Sequence, residues 1–190
     1  MIFSKEEFNS RIIKVKDSMN KKGIEILLTT DPSNMNYLTG YDGWSFYVPQ
    51  GVIVSIDEEQ PYWFGRKQDS NGARITTYLN EDNIFGYPEH LIQSPPLHPY
   101  DFVVQMFKDK KWSDKNIGVE MDSYYYTAEN HKRLIDNLTS AKFINAHLLI
   151  NWVRYIKSEN EIKYMKDAGI LVKAGMQTAF DSIKEGVKQS

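Results

Sequence analysis

The chain has 190 residues, a formal net charge of −2, 41% hydrophobic and 13% aromatic residues, and no cysteine. That much apolar side chain builds a core and excludes intrinsic disorder, while the near-neutral balance gives no electrostatic reason to bind nucleic acid or an anionic membrane. Disulfides, thiolate metal sites and cysteine nucleophiles are excluded together, and no apolar run reaches the roughly 18 residues of a membrane span.

In chain order, Ser4 and Glu7 have the spacing of a helix cap and its partner, and Phe8, Ile12, Val15 and Met19 follow as one apolar stripe. Lys21 and Lys22 suit the end of that helix dipole, and Gly23 supplies the stop. Ile24 to Thr30 is short and nearly all apolar, the pattern of an inner strand. Asp31-Pro32 opens a brief second helix, Ser33 to Thr39, which Gly40 ends in a left-handed cap. Tyr41, Trp44, Phe46 and Tyr47 then crowd into seven residues, divided by Gly43 and stopped by Pro49. Rings at that density either plug a core or line a surface that meets something flat or apolar. Burial preferences alone favour the core.

Val52 to Ile56 and Pro61 to Phe64 flank the polar turn Asp57-Glu58-Glu59-Gln60, which predicts a hairpin. A polar cluster from Gly65 to Gly72 leads into a helix over Lys67 to Leu79, weakened by Gly72 and Thr76-Thr77. A strand over Asn83 to Tyr87, a proline-rich connector over Gln93 to Pro99 and a helix over Tyr100 to Lys110 come next. They precede a strand over Asn116 to Met121, a Thr127-capped helix to Leu138, a strand over Lys142 to Ala146 and a helix over Leu148 to Lys157. This alternation predicts an α/β fold: a mixed, largely parallel sheet flanked by helices, with one antiparallel hairpin. From Ser158 a single long helix runs to about Ile183, too long for a small domain to cover its apolar face. The expected division is residues 1–150 as one domain and 151–190 as a linker plus the first helix of another.

Chemistry is sparse. The four histidines, His90, His98, His131 and His147, are isolated in sequence, and no metal-ligand string, Gly-x-Ser-x-Gly elbow or phosphate-binding glycine loop occurs. Tyr124-Tyr125-Tyr126 reads as a strand-to-helix corner filled by rings in preference to a stack against a ligand. Arg66 and Asp69 read either as a local ion pair at a helix start or as a substrate contact. No nucleophile–base pair is visible, so the expectation is no catalytic residue, no metal ligand and no cofactor in this chain.

Two stretches carry a resemblance. Asn36-Tyr37-Leu38-Thr39-Gly40-Tyr41 and its continuation through Trp44, Ser45 and Phe46 form the first. Arg154-Tyr155-Ile156-Lys157-Ser158-Glu159-Asn160-Glu161-Ile162, with Ala168-Gly169 beyond, form the second. Together they resemble the N-terminal domain and linker of the creatinase, prolidase and Xaa-Pro aminopeptidase family of pita-bread hydrolases, nearest in appearance to the ectoine hydrolase and dimethylsulfoniopropionate lyase branches. The resemblance implies a noncatalytic creatinase-type N-terminal domain, truncated before its catalytic domain, that closes a substrate pocket in a cytoplasmic homodimer. A start of Met-Ile-Phe-Ser-Lys-Glu-Glu, unlike a secretory signal, agrees with that location. The implied parent hydrolyses a C–N bond in an Xaa-Pro peptide or in a cyclic solute such as ectoine. Two divalent ions (Mn, Zn or Co) are implied in the absent catalytic domain. Trp44, Phe46, Tyr47, Arg66 and Asp69 are the residues expected to contact substrate across the dimer. Creatinase grips its substrate carboxylate with an arginine where this chain has Val48, which disfavours creatine. The alternative expectation is a stand-alone module that binds a small molecule or peptide.

Overall fold

The computed structural model describes residues 2–188, and the chain divides into two compact units, Met1–Arg154 and Tyr155–Ser190. Helix α1 (Lys5–Lys21) starts where Ser4 accepts a hydrogen bond from the Glu7 amide, and it buries the stripe Phe8, Ile12, Val15 and Met19. Strand β1 (Ile26–Thr29) leads to α2 (Pro32–Thr39), whose Asp31 cap accepts from the Asn34 amide at 3.0 Å and whose end is Gly40 at φ 81°. Strands β2 (Gly51–Ser55) and β3 (Tyr62–Arg66) form the expected hairpin. After them come α3 (Ser70–Thr76), β4 (Ile84–Tyr87), α4 (Pro99–Asp109), β5 (Asn116–Val119), α5 (Ala128–Asn137), β6 (Lys142–Asn145) and α6 (Leu149–Tyr155).

The six strands lie in the order β4-β3-β2-β1-β5-β6. Three of the five pairings are parallel (β1 with β5, β3 with β4, β5 with β6), giving the mixed α/β sheet flanked by helices that the alternation predicts. The sheet has one antiparallel pairing beyond the hairpin: β1 also runs antiparallel to β2. Alternate residues of each strand face opposite layers. On one face Ile26, Leu28, Phe64 and Ile117 pack with Tyr100, Val103 and Phe107 of α4 and Leu134 of α5. On the other, Leu27, Val52, Val54 and Trp63 pack with Ile12, Val15 and Met19 of α1, Leu38 of α2 and Leu149 and Ile150 of α6.

Two expectations are corrected. The helix expected over Lys67 to Leu79 spans only seven residues, because the Thr76 and Thr77 hydroxyls bond back to the Gly72 and Ala73 carbonyls and Thr77 turns extended. The three-tyrosine corner is only partly filled: Tyr126 is buried and Tyr125 half-buried, whereas Tyr124 is 99% exposed.

In the second unit, α7 (Glu159–Ser182) opens on a capping box between Ser158 and Glu161 and buries none of its residues. No helix among the described residues is long and apolar enough to cross a membrane.

Candidate ligand surface around the aromatic loop

Residues 41–50 leave α2 on the side where the parallel strands β1 and β5 end, the edge at which ligands gather in α/β sheets. The base of this loop is buried. The Tyr41 ring packs on Trp63 at 5.2 Å, and its hydroxyl accepts from Gln50 Nε2 at 3.1 Å. The same Gln50 nitrogen donates to Asp69 Oδ2 at 3.0 Å. Burial first, and the Asp69 charge second, push the Tyr41 phenol up to about 12. Tyr87 donates its hydroxyl to the Pro49 carbonyl at 2.7 Å, and Val48 lies in the interior. Val48 is thus withdrawn from any ligand as well as being the wrong residue to bind a carboxylate.

The tip is different. Trp44, Phe46 and Tyr47 are 59%, 81% and 51% exposed, so the core reading holds for Tyr41 and fails for these three. They form a connected patch: Trp44 meets Phe46 at 6.2 Å, Phe46 meets Tyr47 at 5.5 Å, and Trp44 meets Tyr125 edge-on at 6.1 Å. The Ser45 hydroxyl accepts from the Tyr47 and Val48 amides, which tightens the turn that carries the rings. Arg66 donates from Nη1 to the Tyr47 hydroxyl at 2.9 Å and from Nε to Glu89 at 2.6 Å. The hydrogen bond with Glu89 raises the Arg66 pKa above its ordinary value.

The five residues expected at a site are therefore brought to one loop, but the ion pair between Arg66 and Asp69 does not form. Arg66 pairs with Glu89 and Asp69 takes the Gln50 amide, so each ties down a different end of the loop.

Sequence reasoning missed a second constellation. Glu120, just past β5, is buried and accepts from the Thr30 and Asp31 amides through Oε2 (3.0 and 3.2 Å) and from Asn34 Nδ2 through Oε1 (2.6 Å). Desolvation raises its pKa, against the lowering effect of these donors. Asn34 also donates to Asn151 and accepts from Arg154 Nη1 at 2.7 Å. A glutamate ending an apolar strand was the available signal; its partners lie 86 to 90 residues away. Beside this network opens a cleft of about 580 Å³ lined by Phe8, Asn36, Asp42, Trp44, Ile75 and Arg154, among others.

Among the described residues, no group of three or more His, Cys, Asp or Glu stands close enough to hold a metal ion. A dinuclear centre, which the resemblance places in another domain, does not fit the described side chains of this one.

Residues 11–156 match the family described as Creatinase/Prolidase N-terminal domain. The chain is 44% identical to ectoine hydrolase of Halomonas elongata over 99% of its own length and 47% of that relative's. It superimposes on an Xaa-Pro dipeptidase from Bacillus anthracis with a TM-score of 0.71 at 18% identity, covering 95% of this chain and 45% of that one. The N-terminal domain of a cytoplasmic peptidase, PepQ, from Mycobacterium tuberculosis covers 76% of this chain and 98% of its own, with a TM-score of 0.57 at 17% identity. The chain spans about half the length of the curated relatives it matches. With the mixed sheet, the capped α2 and the loop that follows it, these matches place the chain in the creatinase/prolidase N-terminal domain family.

Proposed function

We propose that this domain is the noncatalytic, pocket-closing part of a dimeric C–N bond hydrolase, and that its aromatic loop contacts the substrate bound by the partner subunit. The carrying observation is the contrast within residues 41–50: a buried base held by Tyr41, Gln50 and Asp69, and a tip that leaves three large rings in solvent. Exposing that much aromatic surface costs hydrophobic stabilisation, which is recovered when the rings meet a ligand or another chain. The ties to Arg66, Ser45 and Tyr87 set the loop beforehand, so contact requires little further ordering.

Among substrates, 44% identity to ectoine hydrolase across nearly the whole chain favours a cyclic solute such as ectoine over an Xaa-Pro peptide. Two divalent metal ions, of manganese, zinc or cobalt, belong in this reading to a catalytic domain outside the chain. The protein acts in the cytoplasm. Turnover of ectoine against an Xaa-Pro dipeptide by the full-length enzyme tests the substrate. Preference for ectoine is expected, and preference for the dipeptide would move the assignment to the peptidase branch.

A further inference from the structure

The half-buried guanidinium of Arg154 has no carboxylate partner among the described residues. Its one hydrogen bond among the described residues runs from Nη1 to Asn34 Oδ1. The carboxyl group of this network, Glu120, is separated from it by the Asn34 amide and is already engaged by the Thr30 and Asp31 amides. This arrangement fixes Arg154 without neutralising it. Because Asn34 Nδ2 donates to both Glu120 and Asn151, its oxygen can only face the arginine. The guanidinium is thereby held by one nitrogen, and its other donors remain.

Arg154 lines the 580 Å³ cleft, a volume in the range of small-molecule sites. The same cleft is lined by the rings of Phe8 and Trp44 and by exposed Asp42, whose amide is tied to Thr76 and whose carboxylate has no partner among the described residues. One cation, one anion and aromatic faces in one cleft fit a molecule that carries both charges. We propose that this cleft binds a small zwitterion of dipeptide size, its carboxylate on Arg154 and its ammonium group beside Asp42 and the face of Trp44. A guanidinium with free edge donors suits a carboxylate, and an indole face suits a cation. This goes beyond the pocket-closing reading and needs no catalytic domain, since every group involved lies in Met1–Arg154.

The test is a titration of this chain with leucylglycine, followed by the Trp44 indole resonance, which a Trp44→Phe variant assigns among the four tryptophans. Saturable shifts at roughly millimolar ligand are expected. Leucylglycine amide, which lacks the carboxylate, and N-acetyl-leucylglycine, which lacks the cation, should each bind more weakly. The amide should lose about 10- to 100-fold, the scale of a charged hydrogen bond. Arg154→Gln should cost a similar factor, and Asp42→Asn should weaken the free dipeptide while leaving the acetylated one unchanged. Because Arg154→Gln removes a partner of Asn34, the two blocked ligands on the unaltered chain decide the matter without it. Absence of saturation by about 10 mM, or equal affinity for all three ligands, overturns the proposal.

Discussion

Arg66 reaches back across 19 residues to donate a 2.9 Å hydrogen bond to the Tyr47 hydroxyl, and Glu89 holds the same guanidinium from the other side. The link joins the end of β3 to the tip of the aromatic loop. It makes Arg66 a residue that sets the loop.

Breaking that link should loosen the tip and leave the core alone. Arg66→Gln and Tyr47→Phe are each expected to speed hydrogen exchange at the Tyr47 and Val48 amides, with amides of β1 unchanged. Equal loosening in both variants is the signature of a shared bond. If exchange at the tip stays at the native rate in both, the loop is held by Ser45 and Tyr87 alone.

Glu120 gives a pH prediction whose sign follows from its raised pKa. The folded state retains the proton above pH 4.5, the ordinary value, where the unfolded chain releases it. Its contribution to stability is therefore most favourable below pH 4.5 and falls as the pH rises through the higher folded value. Measured by denaturant titration, the advantage of the native protein over Glu120→Gln should shrink as pH increases from 4.5. An advantage that grows over that range would show the hydrogen-bond donors outweighing desolvation.

Gly51 sits where the loop enters β2. A Cβ there would stand 2.4 Å from Phe64 Cε1 and 3.0 Å from the Thr29 carbonyl oxygen, which is backbone and cannot step aside. Gly51→Ala should cost about 1–3 kcal/mol by overpacking. A melting temperature within a degree or so of the native one would mean that β2 shifts freely.

Helix α7 leaves Ile170, Leu171, Met176 and Phe180 exposed. Its amides should exchange faster than those of Leu27 and Leu28, which are fully buried in the central strand. Equal protection in a monomer would contradict the reading of α7 as a helix that packs against parts of a longer protein.

Much of this fold was legible because local chemistry and tertiary position agree. Ser4, Thr127 and Gly40 act as the caps their spacing announces, and the α1 stripe is the buried face. His98 was not legible as a cap, yet its Nδ1 accepts the Tyr100 amide while Asp101 completes the box. The antiparallel pairing of β1 with β2 was hidden for a different reason: inner strands that are apolar on both faces carry no alternation to reveal their neighbours. At the site, dense aromatics signalled the loop. They could not say which rings face inward, because Tyr41 is drawn in by Gln50 at the far end of the same loop and by Trp63 of β3, contacts that only the folded loop creates. The Glu120–Asn34–Arg154 chain was illegible for the same reason, being assembled from three elements by the parallel pairing of β1 with β5 and the placement of α6.

The central claim, that the exposed rings serve the opposite subunit, is tested most directly with mixed dimers of the full-length enzyme. Trp44→Ala alone should lower kcat/KM by roughly 2- to 30-fold, the value of one aromatic face on a desolvated ligand. One subunit then carries Trp44→Ala with an intact catalytic domain, and the other carries native Trp44 with a disabled catalytic domain. The single working site receives its loop from the disabled partner, so near-native activity per intact site is the result this account predicts. Activity no higher than that of the Trp44→Ala homodimer would contradict it.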